Sequence, residues 1–98
     1  MGEIKSSVKK KEKLKESKDF KVIVLNDDYT TMDFVIYVLK SIFHKNEAEA
    51  HRIMLYIHKK GQGTAGQYPL DIARTKMDQV HSLARENEFP LVCILEEV

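Results

Sequence analysis

The run Phe20-Lys21-Val22-Ile23-Val24-Leu25 constrains this chain more than any other feature. Five of its six side chains are apolar and three are β-branched, which fits a strand buried for most of its length. Asn26-Asp27-Asp28-Tyr29-Thr30-Thr31 cuts it off. Short polar side chains of this kind bond to nearby backbone and favour turns and helix caps. A helix is therefore expected at once, capped by Thr30 or Thr31 and running to about His44. Asp33 in its first turn faces the positive end of the helix dipole. Phe34, Val35, Val38, Leu39, Ile42 and Phe43 recur at helical spacing and form its buried stripe.

The same reasoning carries to the end of the chain. Asn46 starts a second helix, with Glu47 and Glu49 in the first turn, Lys59 and Lys60 in the last, and Gly61 as a stop. Ala50, Ile53, Met54 and Ile57 give it an apolar face. Gly61-Gln62-Gly63-Thr64-Ala65-Gly66 reads as a turn into a weak strand reaching Tyr68. Pro69-Leu70-Asp71 opens a third helix that turns Ile72, Val80, Leu83 and Ala84 inward and ends near Asn87. After Pro90 comes a last strand, Leu91-Val92-Cys93-Ile94-Leu95. The order is βααβαβ and the fold class α+β: three helices packed on one face of a small antiparallel three-stranded sheet.

None of this pattern precedes residue 20. Residues 1–19 hold seven lysines, four acids and only Met1, Ile4, Val8 and Leu14 as apolar side chains. That is too little burial to offset the entropy of ordering, so a flexible Lys-rich tail is expected, followed by one domain over residues 20–98. The formal charge of +1 is thus the sum of a tail at +3 and a domain at −2. With 98 residues there is no room for a two-domain nucleotide enzyme. No run of ~7–15 apolar residues follows the first charges, as a secretory signal requires. No stretch approaches the ~18 apolar residues of a membrane span, so no membrane partner is expected. The single cysteine, Cys93, excludes an intrachain disulfide and fits a reducing, cytoplasmic setting. The lysines at 9–11 are diluted by glutamates, and no nucleic-acid partner is expected from them.

Chemistry has few places to sit. His44, His51 and His58 are spaced by seven, but His51 and His58 lie about 10 Å apart on their helix, too far to share one ion. Glu47 and His51 are placed to pair as a salt bridge, and neither a metal nor any other cofactor is expected. Cys93 sits among Val92, Ile94 and Leu95, where a thiol behaves as an inert hydrophobe. GQGTAG lacks the Gly-Lys-Ser/Thr of a phosphate-binding loop. What remains is Asn26-Asp27-Asp28 after the first strand, His58 near the end of the second helix, and Met32 and Met54 beside them. Asn, Asp and neutral His all present acceptors. Acceptors beside an apolar pocket suit a cationic donor that carries an apolar group, such as a free α-ammonium with a large first side chain. A small hydrolase built on Asp28 and His58, and a nucleic-acid module using the basic tail, stay open as alternatives on these residues alone.

Three stretches narrow the choice. Val24-Leu25-Asn26-Asp27-Asp28-Tyr29-Thr30-Thr31-Met32-Asp33-Phe34-Val35, then Met54-Leu55-Tyr56-Ile57-His58, then Ala84-Arg85-Glu86-Asn87-Glu88-Phe89-Pro90-Leu91 closely resemble the ClpS family. Its members are non-enzymatic adaptors that bind N-terminal degradation signals and deliver them to an AAA+ protease. The resemblance covers residues 20–98. It implies that Asn26, one or both of Asp27 and Asp28, and His58 hold the substrate's α-amino group. Met32 would gate a pocket lined by Val35, Met54, Ile57 and Leu91, with Thr30 at its edge, for N-terminal Leu, Phe, Tyr or Trp. Asp71 and Lys76 match positions that contact the N-terminal domain of a ClpA- or ClpC-like unfoldase, although some relatives have Glu in place of Asp71. Thr31 departs from the pattern, since many relatives have Pro there. A flexible N-terminal extension hands over substrate in the family, and residues 1–19 are long enough to span ~25 Å as a coil.

Overall fold

The computed structural model describes residues 18–98. Six elements follow in the order βααβαβ: β1 (Asp19–Leu25), α1 (Met32–Ser41), α2 (Glu47–Lys60), β2 (Gln62–Pro69), α3 (Leu70–Glu86) and β3 (Val92–Glu97). The expected tail falls on residues outside the described ones, except that its boundary moves. Asp19 already belongs to β1, and Lys18 pairs with Glu97 at 3.1 Å.

The most β-branched segment takes the centre of the sheet. The strand order is β2-β1-β3, antiparallel throughout. Val22 lies opposite Gly66 on one side and Leu95 on the other, and Val24 opposite Gly63 and Cys93. The register against β2 shifts between Val22 and Ile23, which leaves Ala65 as the extra residue of a bulge. α3 packs on all three strands, while α1 packs on α2 and α2 on β2. Val22 and Val24 belong to the core beneath the helices together with Val38, Leu39, Ile57 and Val80. Val92 and Ile94 are exposed on the opposite face, where Ile23 is buried outside that cluster, so among the described residues the helices cover one face of the sheet only.

Caps set the helix ends. Thr31 Oγ1 accepts from the Phe34 N–H (3.1 Å), and Asn46 Oδ1 from the Glu49 N–H (2.8 Å), each satisfying a donor the helix cannot. Gly61 ends α2 in the left-handed conformation (φ 93°). At the end of α3 the Phe89 N–H reaches the Ala84 carbonyl (2.8 Å) and the Glu88 N–H the Arg85 carbonyl (3.1 Å), with Glu88 itself at φ 62°. This left-handed stop turns Phe89 onto the Phe34 ring, 4.7 Å between centroids.

Several elements differ from expectation. α1 stops at Ser41 rather than near His44, because His44 adopts φ 57° and cannot continue the helix. Gly61 alone makes the turn, so the whole glycine-rich stretch from Gln62 onward is strand. Ile72 points outward and Ala73 inward, since Ala73, Val80 and Ala84 share one helical face that Ile72 misses. β3 starts one residue later than expected and alternates, with Cys93 buried and Val92 and Ile94 on the opposite face. β3 is also an edge strand, where the Cys93 N–H would lack a partner, and His81 Nε2 on α3 accepts from it at 3.0 Å.

Candidate binding site

A hollow of about 200 Å³ opens where β1 ends, α1 begins and α2 ends. Its polar wall is Asn26, Asp27, Asp28, Thr30 and His58, and its apolar wall is Met32, Val35, Met54 and Ile57. The backbone explains the convergence. The β1–β2 ladder runs to the pair Leu25–Gln62, and the Asn26 N–H then donates to the Gly61 carbonyl at 2.9 Å. That bond ties the loop after β1 to the C-terminal stop of α2, one turn from His58. Thr31 starts α1 so that Met32 is its first residue, on the rim and 45% exposed. Val35, Met54 and Ile57 are buried and form the floor.

The two aspartates behave differently. Asp27 Oδ1 accepts from the Tyr29 and Thr30 N–H groups (2.8 and 2.7 Å), and Oδ2 from the Thr30 hydroxyl (2.8 Å). Burial alone would raise its pKa, but the Thr30 N–H, the Thr30 hydroxyl and the Tyr29 N–H outweigh burial and hold it below the usual 3.8. The Asp28 carboxylate, the Asn26 amide and the His58 ring are exposed and have no side-chain hydrogen bond among the described residues. Asn26, Asp28 and His58 are therefore the acceptors left open to a guest.

One residue named from the sequence, Leu91, is not among the residues that line this hollow. Leu91 is buried and lines a separate cleft with His81, Arg85, Phe89, Pro90 and Val92. Asp71 is exposed in the first turn of α3. Lys76 is half-buried: its Nζ donates to the Ile42 carbonyl (2.7 Å) and lies 5.7 Å from the centre of the Tyr68 ring. A larger hollow of about 480 Å³ lies between the end of α1 and α3, but Ile42 and Leu83 are its only apolar walls. Its remaining lining, Ser41, Thr75, Asp78, Gln79, Ser82 and Glu86, is polar.

Other chemistry is not supported by the geometry. Burial pushes the Cys93 thiol up to about 12, so it carries no thiolate near neutral pH. Among the described residues no three His, Cys, Asp or Glu side chains converge as metal ligands, and His51 Nδ1 lies 4.0 Å from Glu47 as an exposed ion-pair partner. No helix of the described residues is long and apolar enough to cross a membrane.

Residues 15–94 match the protein family described as "ATP-dependent Clp protease adaptor protein ClpS". The chain belongs to the ClpS family. ClpS from Syntrophus aciditrophicus is 55% identical over 87 residues, covering 89% of this chain and 81% of that protein. ClpS from Shewanella piezotolerans is 57% identical over 84 residues, covering 86% and 82%. The structure of Agrobacterium tumefaciens ClpS2 bound to L-phenylalaninamide superposes with a TM-score of 0.81 at 38% identity, over 84% of this chain and 99% of that one. ClpS proteins are adaptors of the Clp protease and not themselves enzymes, so the alternative of a hydrolase on Asp28 and His58 falls.

The ClpS motifs acquire physical jobs in this fold. Asn26-Asp27-Asp28 is both a turn and a set of acceptors, divided residue by residue. Arg85-Glu86-Asn87-Glu88-Phe89 is the stop of α3 that braces Phe34 on α1. Thr31 has φ −74°, which a proline would also adopt, and it adds a side-chain cap that proline lacks. Composition could not reveal that Lys76 is engaged within the domain, because its carbonyl partner is 34 positions away.

Proposed function

We propose that this ClpS-family adaptor recognises a free protein N-terminus through the hollow at the end of β1. Asn26, Asp28 and His58 accept hydrogen bonds from the α-ammonium. Met32, Val35, Met54 and Ile57 enclose the first side chain, which is Leu, Phe, Tyr or Trp. The carrying observation is that three open acceptors and a buried apolar floor meet in one hollow. L-phenylalaninamide, the compound bound to the Agrobacterium ClpS2, joins a free α-amine to a large apolar side chain. Each hydrogen bond to a charged donor contributes roughly 1.5–3 kcal/mol, and burial of the side chain a similar roughly 1.5–3 kcal/mol. Neither part suffices alone. Met32 at the rim excludes side chains branched at Cβ.

The bound chain is delivered to the N-terminal domain of a ClpA- or ClpC-like unfoldase. Asp71 presents a free carboxylate to that partner, while Lys76 must exchange the Ile42 carbonyl for it. Titration with a peptide beginning in Phe, and with the same peptide N-acetylated, tests the reading. Acetylation removes the charge and at least one donor, so affinity should fall by roughly 10- to 150-fold. Equal affinity for the two peptides would refute it. Truncation before Lys18 should leave peptide affinity unchanged and reduce degradation by the Clp protease, since handover is assigned to the preceding segment.

A further inference from the structure

Asp27 lies at the wall of the hollow, yet its carboxylate is directed into its own loop. A carboxylate offers about four lone-pair sites, and three donors from Tyr29 and Thr30 already occupy this one. The flanking side chains, Asn26 and Asp28, are exposed and open. The loop is fixed at both ends as well, by the Asn26 N–H on the Gly61 carbonyl (2.9 Å) and by the Thr31 cap on the Phe34 N–H (3.1 Å). Between these two anchors lie Asp28, Tyr29 and Thr30, and Asp27 is what holds them.

We propose that Asp27 is a positioning residue rather than a ligand: it shapes the loop so that Asn26, Asp28 and Met32 address the hollow together. The proposal rests on the reading of the hollow as an α-ammonium site. Chemistry separates the two roles. Asn at 27 keeps an oxygen for the Tyr29 and Thr30 N–H groups, and its amide nitrogen can donate to the Thr30 hydroxyl once that hydroxyl turns round. It loses only the charge. Ala keeps neither bond nor charge. At position 28 the order reverses, because Asn preserves the backbone but removes the charge that faces the guest.

The test compares the full chain with Asp27→Asn, Asp27→Ala and Asp28→Asn. Each is titrated with a Phe-starting peptide in free and N-acetylated form, and amide exchange at Tyr29 and Thr30 is measured by NMR without peptide. Asp27→Asn should bind within about threefold of the parent, since the lost charge is solvent-screened. Asp27→Ala should bind about tenfold more weakly if the competent loop is then populated a tenth of the time. Asp28→Asn should lose roughly 10- to 150-fold. Exchange at Tyr29 and Thr30 should rise in Asp27→Ala and stay near the parent rate in Asp27→Asn.

Should Asp27→Asn bind as weakly as Asp28→Asn, Asp27 is a ligand and the proposal is wrong. It is equally wrong if Asp27→Ala retains parental affinity and parental exchange rates. Should the parent fail to distinguish free from acetylated peptide, the α-ammonium reading is lost, and the exchange rates still decide what Asp27 does to the loop. If Asp27→Ala does not fold, as a thermal melt would show, the comparison of Asp27→Asn with Asp28→Asn decides alone.

Discussion

Gly63→Ala tests how tightly the floor of the hollow is built. Gly63 faces α2 from β2, and a Cβ there would lie 2.8 Å from Ile57 Cγ1, 3.2 Å from Tyr56 Cδ2 and 3.7 Å from Ile57 Cδ1. Carbon atoms rest at about 3.5 Å or more, so roughly 0.7 Å has to be found. Ile57 is 2% exposed, and Cγ1 is close to the root of its side chain. The space must come from a strained rotamer or from movement of α2. Overpacking of this kind costs about 1–3 kcal/mol, and the lower entropy of an unfolded Ala relative to Gly offsets about 0.4–1 kcal/mol. The net loss is about 1–2 kcal/mol, or about 4–16 °C in Tm for a domain of this size. Ile57 also forms the floor, so the same displacement should weaken binding of a Phe-starting peptide. A thermal melt followed by calorimetric titration measures both. A Tm equal to or above that of the parent would show slack between β2 and α2 and refute the reasoning.

Met32→Ala should open the rim and admit peptides beginning with Ile or Val, which a competition titration against a Phe-starting peptide would reveal; unchanged selectivity removes Met32 as the gate. Asn46→Ala should lower stability by about 1 kcal/mol, seen as a fall of about 4–8 °C in Tm, because the Glu49 N–H loses its acceptor. With its thiol pushed up to about 12 by burial, Cys93 should resist alkylation at pH 8 in the native protein and label only when denaturant exposes it. Rapid labelling of the native chain would contradict its burial.

Local chemistry in this chain was legible wherever one residue type has one job. Val22, Ile23 and Val24 announced a buried strand, Asn46 and Gly61 marked the two ends of α2, and the turn chemistry of Asn26-Asp27-Asp28 held. What failed depended on phase or on distant partners. Ile72 and Ala73 are neighbours on α3, and only the docking angle on the sheet decides which points inward. The apolar run of β3 carries no mark of which side chains face solvent; among the described residues the helices lie on one face of the sheet, so Val92 and Ile94 are exposed. Nor does sequence separate Asp27 from Asp28, which differ only in which way the loop turns them.

The hydrogen bond from the Asn26 N–H to the Gly61 carbonyl joins the tail of a strand to the tail of a helix. Such ends fray first in local opening, since fewer contacts hold them than hold the middle of an element. The hollow thus draws its polar wall from the ends of elements rather than from their middles. A guest that requires both ends in place adds its binding free energy to their closure, about 2.7 kcal/mol at a hundredfold excess over Kd.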